Sequence, residues 1–286
     1  MTKAKLTNTE FTRVWHHPDY MQLELLHARF LRQTFPKHSH EVFALGVIEG
    51  GALNYLYRGA SVTAASGDIN LCVPGEVHTG QPASPEGWSY RMFYFDARLL
   101  QQVASRLALK AQPMPFFQSS TINDPATAVR IRKLHQQFES GAGRLEHESH
   151  LMDVLAQFIR RHADARTPVF KTGQEPKAVI QIKRYLAEHL TEDVSLDALV
   201  SLTGLSRYYL VRAFHEAVGM PPHQYLRQLR VNRAKTLLAT NLPLAEIALA
   251  TGFSDQSHLN RWFRRFWGYT PGHYRNSVQD RPLVKD

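Results

Sequence analysis

The sequence predicts two domains, a β-rich domain followed by an all-α domain, from three observations. Short β-rich runs separated by turn residues occupy residues 23–95, helical apolar spacing begins at residue 97, and a unit of about 48 residues is repeated near the C-terminus. A chain of 286 residues has the length expected for about two domains. We therefore expect an N-terminal antiparallel barrel or sandwich with accessory helices, followed by a C-terminal helical domain.

The β-rich domain is predicted from closely spaced short strands. Residues 1 to about 20 are polar and predict an arm that is at most partly ordered. After them, β-rich runs predict strands that include 42–48, 52–57, 61–65, 69–73 and 89–95. Turns that contain glycine separate these runs. Short strands at this spacing are typical of antiparallel barrels and sandwiches.

Helical spacing then predicts helices within 97–107 and 125–138 and over 144–162. The last helix carries an apolar stripe that includes Leu151, Leu155 and Phe158. This stripe fits either packing on the chain's own β-rich domain or a dimer contact, and one stripe cannot serve both fully. The periodicity is lost over residues 164–176, which predicts a linker between domains at 1–163 and 177–286.

The C-terminal domain contains two copies of one unit. Residues 195–206 align with residues 243–254 at an offset of 48, with identical pairs at Leu196/Leu244, Thr203/Thr251, Gly204/Gly252 and Ser206/Ser254. After one inserted residue the offset is 49, with pairs that include Leu210/Leu259, Arg212/Arg261, Phe214/Phe263 and Gly219/Gly268. Each copy has the pattern of a helix-turn-helix, whose second helix enters the DNA major groove. Residues 225–238 predict one helix that connects the copies.

Charge and composition narrow the class of protein. Residues 177–286 contain 15 basic and 9 acidic side chains, a net of +6, against +3 for the first 176 residues. Basic charge concentrated beside the repeat indicates a phosphate-bearing partner. The single cysteine, Cys72, excludes an intramolecular disulfide and a cysteine-based zinc site. Since neither a membrane-span-length apolar run nor a signal peptide is present, we expect a cytoplasmic protein with no membrane partner.

The second copy also carries a family signature. It consists of Gly252-Phe253, Leu259-x-Arg261-x-Phe263, Gly268-x-Thr270-Pro271 and Tyr274-Arg275, and the connecting helix adds Tyr225-Leu226, Arg230, Ala234-Lys235 and Leu237-Leu238. At these residues, over about 177–276, the chain resembles the AraC/XylS family of bacterial transcription regulators. The resemblance implies binding to double-stranded promoter DNA. It also favours a homodimer through the helix at 144–162.

The resemblance assigns DNA contacts to particular residues. Base-edge contacts are expected from Tyr208, Val211 and Arg212 in the first copy, and from Gln256, Ser257, His258 and Arg261 in the second. Arg212 and Arg261 suit guanine, which an arginine contacts through two hydrogen bonds. The expected phosphate contacts are Arg230, Arg264 and Arg265.

The N-terminal domain resembles a second family, the cupin barrels. His38-Ser-His40 and the segment from Gly67 to His78 look like the two motif halves, whose histidines can hold a metal. Alternation places His38 and His40 on one strand face. The glutamate of the metal-binding pattern is missing, because Ala44 and Leu45 stand where it is expected. We therefore expect no metal and no cofactor, with His38, His40 and His78 lining the pocket of an organic effector. A metal site and purely structural histidines stay open as alternatives.

These observations predict a transcription regulator that is controlled by a small-molecule effector and is not an enzyme. Its expected partners are promoter DNA, the effector, a second copy of the chain and, if it activates, RNA polymerase. The first alternative is a metal-dependent cupin enzyme with an accessory DNA-binding domain. The missing glutamate and the lack of a nucleophile–base constellation count against it. The second alternative is an architectural DNA protein, which would have no effector pocket.

Overall fold

The computed structural model describes residues 9–17, 20–140, 144–164 and 176–279. The chain forms two compact units, residues 1–34 with 39–168 and residues 169–286 with the short segment 35–38. Most of the predicted linker at 164–176 lies outside the described residues. Within the described part of the chain, no helix is long and apolar enough to cross a membrane.

The described residues contain nine strands, whose range is 11–122. They are β1 (Phe11–His17), β2 (Tyr20–Phe30), β3 (Phe35–His38), β4 (Phe43–Tyr57), β5 (Ala60–Ala65), β6 (Ile69–Cys72), β7 (His78–Pro82), β8 (Trp88–Phe95) and β9 (Thr121–Ile122). The main path of the sheet runs β1-β2-β8-β4-β6-β9, while β5 and β7 pair with β4. The first half of β4 pairs with β6 and its second half with β5 and β7, so this one long strand belongs to both groups of strands.

The sheet confirms the predicted fold class but corrects two of its details. Residues 11–17 are not an arm, because β1 pairs along most of its length with β2. The expected break at residues 49–51 is a register shift between Ile48 and Gly50 inside one continuous strand. Gly51 has a φ of 68°, and a Cβ there would lie 1.9 Å from the carbonyl oxygen of Gly87. Glycine therefore lets the strand bend against a neighbouring backbone instead of ending it.

Helices α1 (Ala97–Ala108), α2 (Pro125–Ser140) and α3 (Arg144–His162) share an apolar core with the sheet. The stripe on α3 is part of this core, with Leu151 at 2%, Leu155 at 1% and Phe158 at 0% exposure. Phe158 stacks on Phe117 at a centroid distance of 5.1 Å. The stripe therefore packs within its own domain, and a dimer contact of α3 stays a prediction.

The second unit is entirely helical in its described residues beyond 175. Its helices are α4 (Lys177–Glu188), α5 (Leu196–Thr203), α6 (Arg207–Val218), α7 (Pro222–Leu237), α8 (Leu244–Ala250), α9 (Gln256–Trp267) and α10 (Pro271–Gln279). The pairs α5–α6 and α8–α9 are the two predicted helix-turn-helix units, and α7 is the predicted connecting helix. This arrangement confirms the predicted C-terminal fold.

The inserted residue of the repeat lies at the start of α9. In the first copy Ser206 caps α6, where its side chain accepts a hydrogen bond from the backbone N–H of Tyr209. In the second copy Ser254 is the aligned residue, but Asp255 is the cap and accepts from the backbone N–H of His258. Both residue types are favoured at this position. The offset therefore changes from 48 to 49 where one capping residue has been added outside the helix.

Candidate functional site

Helix α9 presents a polar face opposite its buried one. Leu259 and Phe263 are 0% exposed and hold the helix against its unit. Ser257, Arg261 and Arg264 are exposed on the opposite side of the helix. Gln256, in the first turn, is also exposed. Arg265 is exposed as well, so five of the predicted DNA contacts of this copy are accessible on one helix.

His258 differs from these neighbours because both of its ring nitrogens have partners inside the unit. The indole N–H of Trp262 lies 2.9 Å from Nε2, and since an indole can only donate, Nε2 must accept. In the neutral ring Nδ1 then carries the proton and donates to the Ser254 hydroxyl at 3.1 Å. That hydroxyl in turn donates to Asp255 at 3.0 Å. The ring therefore stabilises the start of α9. Because both of its nitrogens are used in these hydrogen bonds, neither is directed at a base edge.

The hydrogen bonds of His258 predict a measurable effect of Trp262. Burial, together with the nearby charge of Arg261, lowers the pKa of His258 below its usual value. Donation from Trp262 to Nε2 adds to this effect, because only the neutral ring can accept. We expect Trp262→Phe to raise the pKa of His258, measured by NMR titration of its ring protons. An unchanged pKa would show that the bond to Trp262 is not formed in solution.

Trp262 also organises a cluster of guanidinium groups. The Arg227 guanidinium lies 3.9 Å from the centre of its ring, and that of Arg265 lies 5.1 Å away. Burial and the neighbouring charges of Arg265, Arg230 and Arg261 lower the pKa of Arg227. Cations held this close produce a strong positive potential beside α9, which is what a DNA phosphate requires. Sequence reasoning missed Arg227, because it lies 35 residues from Trp262 and no local spacing connects them.

Arg230, predicted to contact phosphate, is engaged inside its unit. Its Nε donates to the carbonyl oxygen of Leu190 and one Nη donates to that of Glu192, each at 2.7 Å. Its Nε also lies 2.8 Å from where a Cβ on Gly252 would be. The side chain therefore joins the segment after α4 to the turn between α8 and α9. Because these hydrogen bonds give Arg230 a structural role, we do not include it among the phosphate contacts that we propose.

The first copy has a less polar outer face than the second. Val211 is half-buried and packs against the core of the unit, so little of it is available to a base. Arg212 is exposed and pairs with Glu216, one turn later, at 2.7 Å. An exposed pair of this kind is weak and readily exchanged for another partner. The side chain of Tyr208 lies outside the described residues.

Two of the three predicted pocket histidines, His40 and His78, come together in the first unit. His38 ends β3, which belongs to the second unit. His38 and His78 are buried, and the rings of His40 and His78 are 5.0 Å apart. Burial lowers the pKa of His78, so the neutral ring is favoured. The structure thus brings His40 and His78 together within the first unit.

Aromatic side chains lie next to this cluster. The ring of Tyr94 meets that of His40 edge-on at 5.7 Å. Tyr94 and Tyr90 lie on one face of β8, and burial raises the pKa of both phenols. Burial also raises the pKa of the Cys72 thiol to about 12, which keeps it protonated and unreactive. The phenols and the thiol described here are therefore neutral, and the charge of Glu76 also acts on His78. Aromatic surroundings are common in sites for small organic ligands.

Comparison with known proteins supports both halves of this description. A family model described as an AraC-like ligand binding domain matches residues 20–155, and one described as a helix-turn-helix domain matches residues 199–277. The uncharacterized HTH-type transcriptional regulator YbfI of Bacillus subtilis is 27% identical over 87% of this chain and 90% of its own. The HTH-type transcriptional activator RhaS of Enterobacter sp. is 24% identical over 86% of this chain and 90% of its own.

The fold is also similar to that of a solved protein. ToxT of Vibrio cholerae, crystallised with a bound unsaturated fatty acid, superposes with a TM-score of 0.56 and covers 98% of both chains. Sequence identity to ToxT is 14%, so this likeness concerns the fold alone.

Proposed function

Because the chain belongs to the AraC family of transcriptional regulators, with a ligand-binding domain and a helix-turn-helix domain, we propose how its residues divide the work. Helices α6 and α9 enter successive major grooves about 10 base pairs apart. Arg212, Gln256, Ser257 and Arg261 contact base edges, while Arg264 and Arg265 contact phosphates. A small effector binds near His38, His40 and His78 and controls the affinity for DNA.

The observation that carries the DNA part of this proposal is the face of α9. Leu259 and Phe263 anchor the helix, so the side chains opposite them point away from the unit. Those side chains are polar or cationic, and a cluster of arginines borders them. An ordinary helical bundle needs no such concentration of positive charge on one face. Val211 and His258 have packing or hydrogen-bond roles, so we assign them smaller contributions than the sequence suggested.

The division between base and phosphate contacts predicts different effects on DNA binding for two alanine variants of α9. Arg261→Ala should reduce discrimination at one base pair by about 1–3 kcal/mol, because a bidentate arginine–guanine contact is lost. Arg264→Ala should weaken binding to every sequence and reduce the slope of log affinity against log salt by about 1. The measurement is binding of both variants to a set of single-base operator mutants at several salt concentrations.

The two variants are each other's control, since both residues are exposed arginines on α9. Operators come from selection of random DNA by the wild-type chain, repeated with a panel of metabolites to find the effector. A uniform loss for Arg261→Ala, or a base-specific loss for Arg264→Ala, would contradict the assigned faces. Failure of the wild-type chain to select any sequence would contradict specific recognition altogether.

The remaining partners belong to the same proposal. We propose a cytoplasmic homodimer that contacts RNA polymerase when it activates, and that is not an enzyme. The buried stripe of α3 is unavailable to such a dimer, so its interface uses another surface. Sedimentation of the purified chain tests the dimer. Support for a regulator over an enzyme comes from the regulators among its relatives.

A further inference from the structure

The boundary between α7 and α9 carries arginines whose charge is not neutralised within the unit. In the described ranges, Arg227, Arg261 and Arg265 form neither an ion pair nor a hydrogen bond. Burial lowers the pKa of Arg227, and so do nearby charges, which all belong to other arginines. Arg212 is different, because Glu216 pairs with it. Positive charge without an internal counterion favours binding of an anion from outside the unit.

The ring of Trp262 sets the position of two of these cations. Its N–H donates to Nε2 of His258 at 2.9 Å, which fixes the orientation of the indole. The Arg227 guanidinium lies over the ring, with Cζ 3.9 Å from its centre, and Cζ of Arg265 lies 5.1 Å away. An aromatic face attracts a cation but offers no oxygen or nitrogen acceptor to its N–H groups. The donors of both side chains are therefore held in place and remain available to another partner.

The location of these cations on α9 favours a phosphate of the DNA backbone as that partner. Successive residues of a helix are about 100° apart, so Trp262 and Arg265 lie on one flank of α9, beside the outward face that carries Arg261. The flanks of a helix in the major groove face the phosphates that border the groove. The planar array of N–H groups in arginine matches the oxygens of a phosphate.

We propose that Arg227 and Arg265 together bind one phosphate of the DNA backbone and that Trp262 is the positioning residue that holds both. This inference rests on the proposed function, because it requires α9 to lie in the major groove. It adds a DNA contact from α7, the helix that connects the two copies. That contact fixes the orientation of α9 in the groove, since the two helices then bind the same phosphate.

The first test compares two glutamine variants of α7 on operators selected by the wild-type chain. Arg227→Gln should weaken binding to every operator about tenfold at low salt and reduce the slope of log affinity against log salt by about 1. Arg233→Gln is the matched control, because Arg233 is exposed on a different face of the same helix. It should change neither quantity. Equal losses in the two variants would overturn the phosphate site.

The second test identifies the phosphate. Neutral methylphosphonate replaces one operator phosphate at a time, and the wild-type chain should lose affinity at the contacted position. Arg227→Gln and Arg265→Gln should both be insensitive to replacement at that same position and sensitive at the others. Trp262→Leu should lose the same sensitivity, whereas Trp262→Phe, which keeps an aromatic ring, should retain it. A merely structural role of Trp262 would weaken binding without this selective loss.

The outcomes separate this inference from the proposed function. If the wild-type chain selects operators but Arg227→Gln keeps its sensitivity at every phosphate, the shared site is wrong and the proposed function stands. Loss of sensitivity at different phosphates in Arg227→Gln and Arg265→Gln would also overturn the shared site. Arg265 is exposed, so its variant decides the question even if Arg227→Gln fails to fold. A wild-type chain that selects no operator would contradict the proposed function instead.

Discussion

Replacing Phe263 with alanine is expected to lower the free energy of unfolding of the helical unit by about 3–5 kcal/mol, the usual loss for a buried phenylalanine. The side chain is 0% exposed. Its ring lies near those of Tyr269 and Tyr274, at centroid distances of 6.0 and 6.2 Å. Truncation leaves a cavity under α9 that these rings fill only in part. Because α9 is the proposed recognition helix, specific DNA binding should be lost as well.

The measurement is denaturant unfolding of the full chain followed by circular dichroism, together with operator binding. The control is the neighbouring variant Arg264→Ala, which should change the free energy of unfolding by no more than about 0.5 kcal/mol because the residue is exposed. Arg264→Ala should nevertheless weaken DNA binding. If Phe263→Ala unfolds like the wild type, α9 is not anchored as described.

Replacing Gly252 with alanine is the second substitution for which we expect a large effect. Gly252 has a φ of +78°, where a side chain costs about 1–2 kcal/mol. A Cβ there would also lie 2.8 Å from both the carbonyl oxygen of Leu190 and Nε of Arg230. Since hydrogen bonds hold Arg230 in place, the clash must be relieved by moving backbone. We expect the free energy of unfolding to fall by about 2–4 kcal/mol in total. DNA binding should also weaken, because α9 is displaced.

The repeat provides a matched control for this experiment. Gly204 is the aligned glycine of the first copy, with a φ of +68°, and among the described residues beyond its chain neighbours no atom lies within 4 Å of its hypothetical Cβ. Gly204→Ala should therefore lower the free energy of unfolding only by the cost of the positive φ, about 1–2 kcal/mol. The difference between the two variants, from thermal or denaturant unfolding, isolates the close approach at Gly252. Equal losses in the two variants would show that this close approach has no energetic consequence.

Local sequence patterns were sufficient to predict the architecture. Residues three and four apart share a helix face, so the spacing of Leu259 and Phe263 was enough to predict which side of α9 is buried. The same reasoning located α3 and the repeat. Paired residues at a constant offset also predicted two copies of one unit, including the position of the inserted residue. Turn glycines marked most strand ends, but Gly50 and Gly51 serve a bend inside β4, which only pairing with β8 reveals.

Side-chain roles that depend on distant partners were not predictable in the same way. Arg230 has the charge expected of a phosphate contact, yet its hydrogen-bond partners are backbone carbonyl groups 38 and 40 residues earlier in the chain. The family resemblance assigned His258 to a base edge, but Trp262 and Ser254 occupy both of its ring nitrogens.

By itself, then, the sequence determined the two-domain fold, the helix-turn-helix repeat and the family, because periodicity and capping are properties of neighbouring residues. Only the tertiary structure decided which polar groups remain available to a partner. The stripe of α3 packs within its own unit, Val211 packs inward, and Arg227 lies over Trp262 although 35 residues separate them. Such pairings arise when the chain folds back on itself, and no local spacing encodes them.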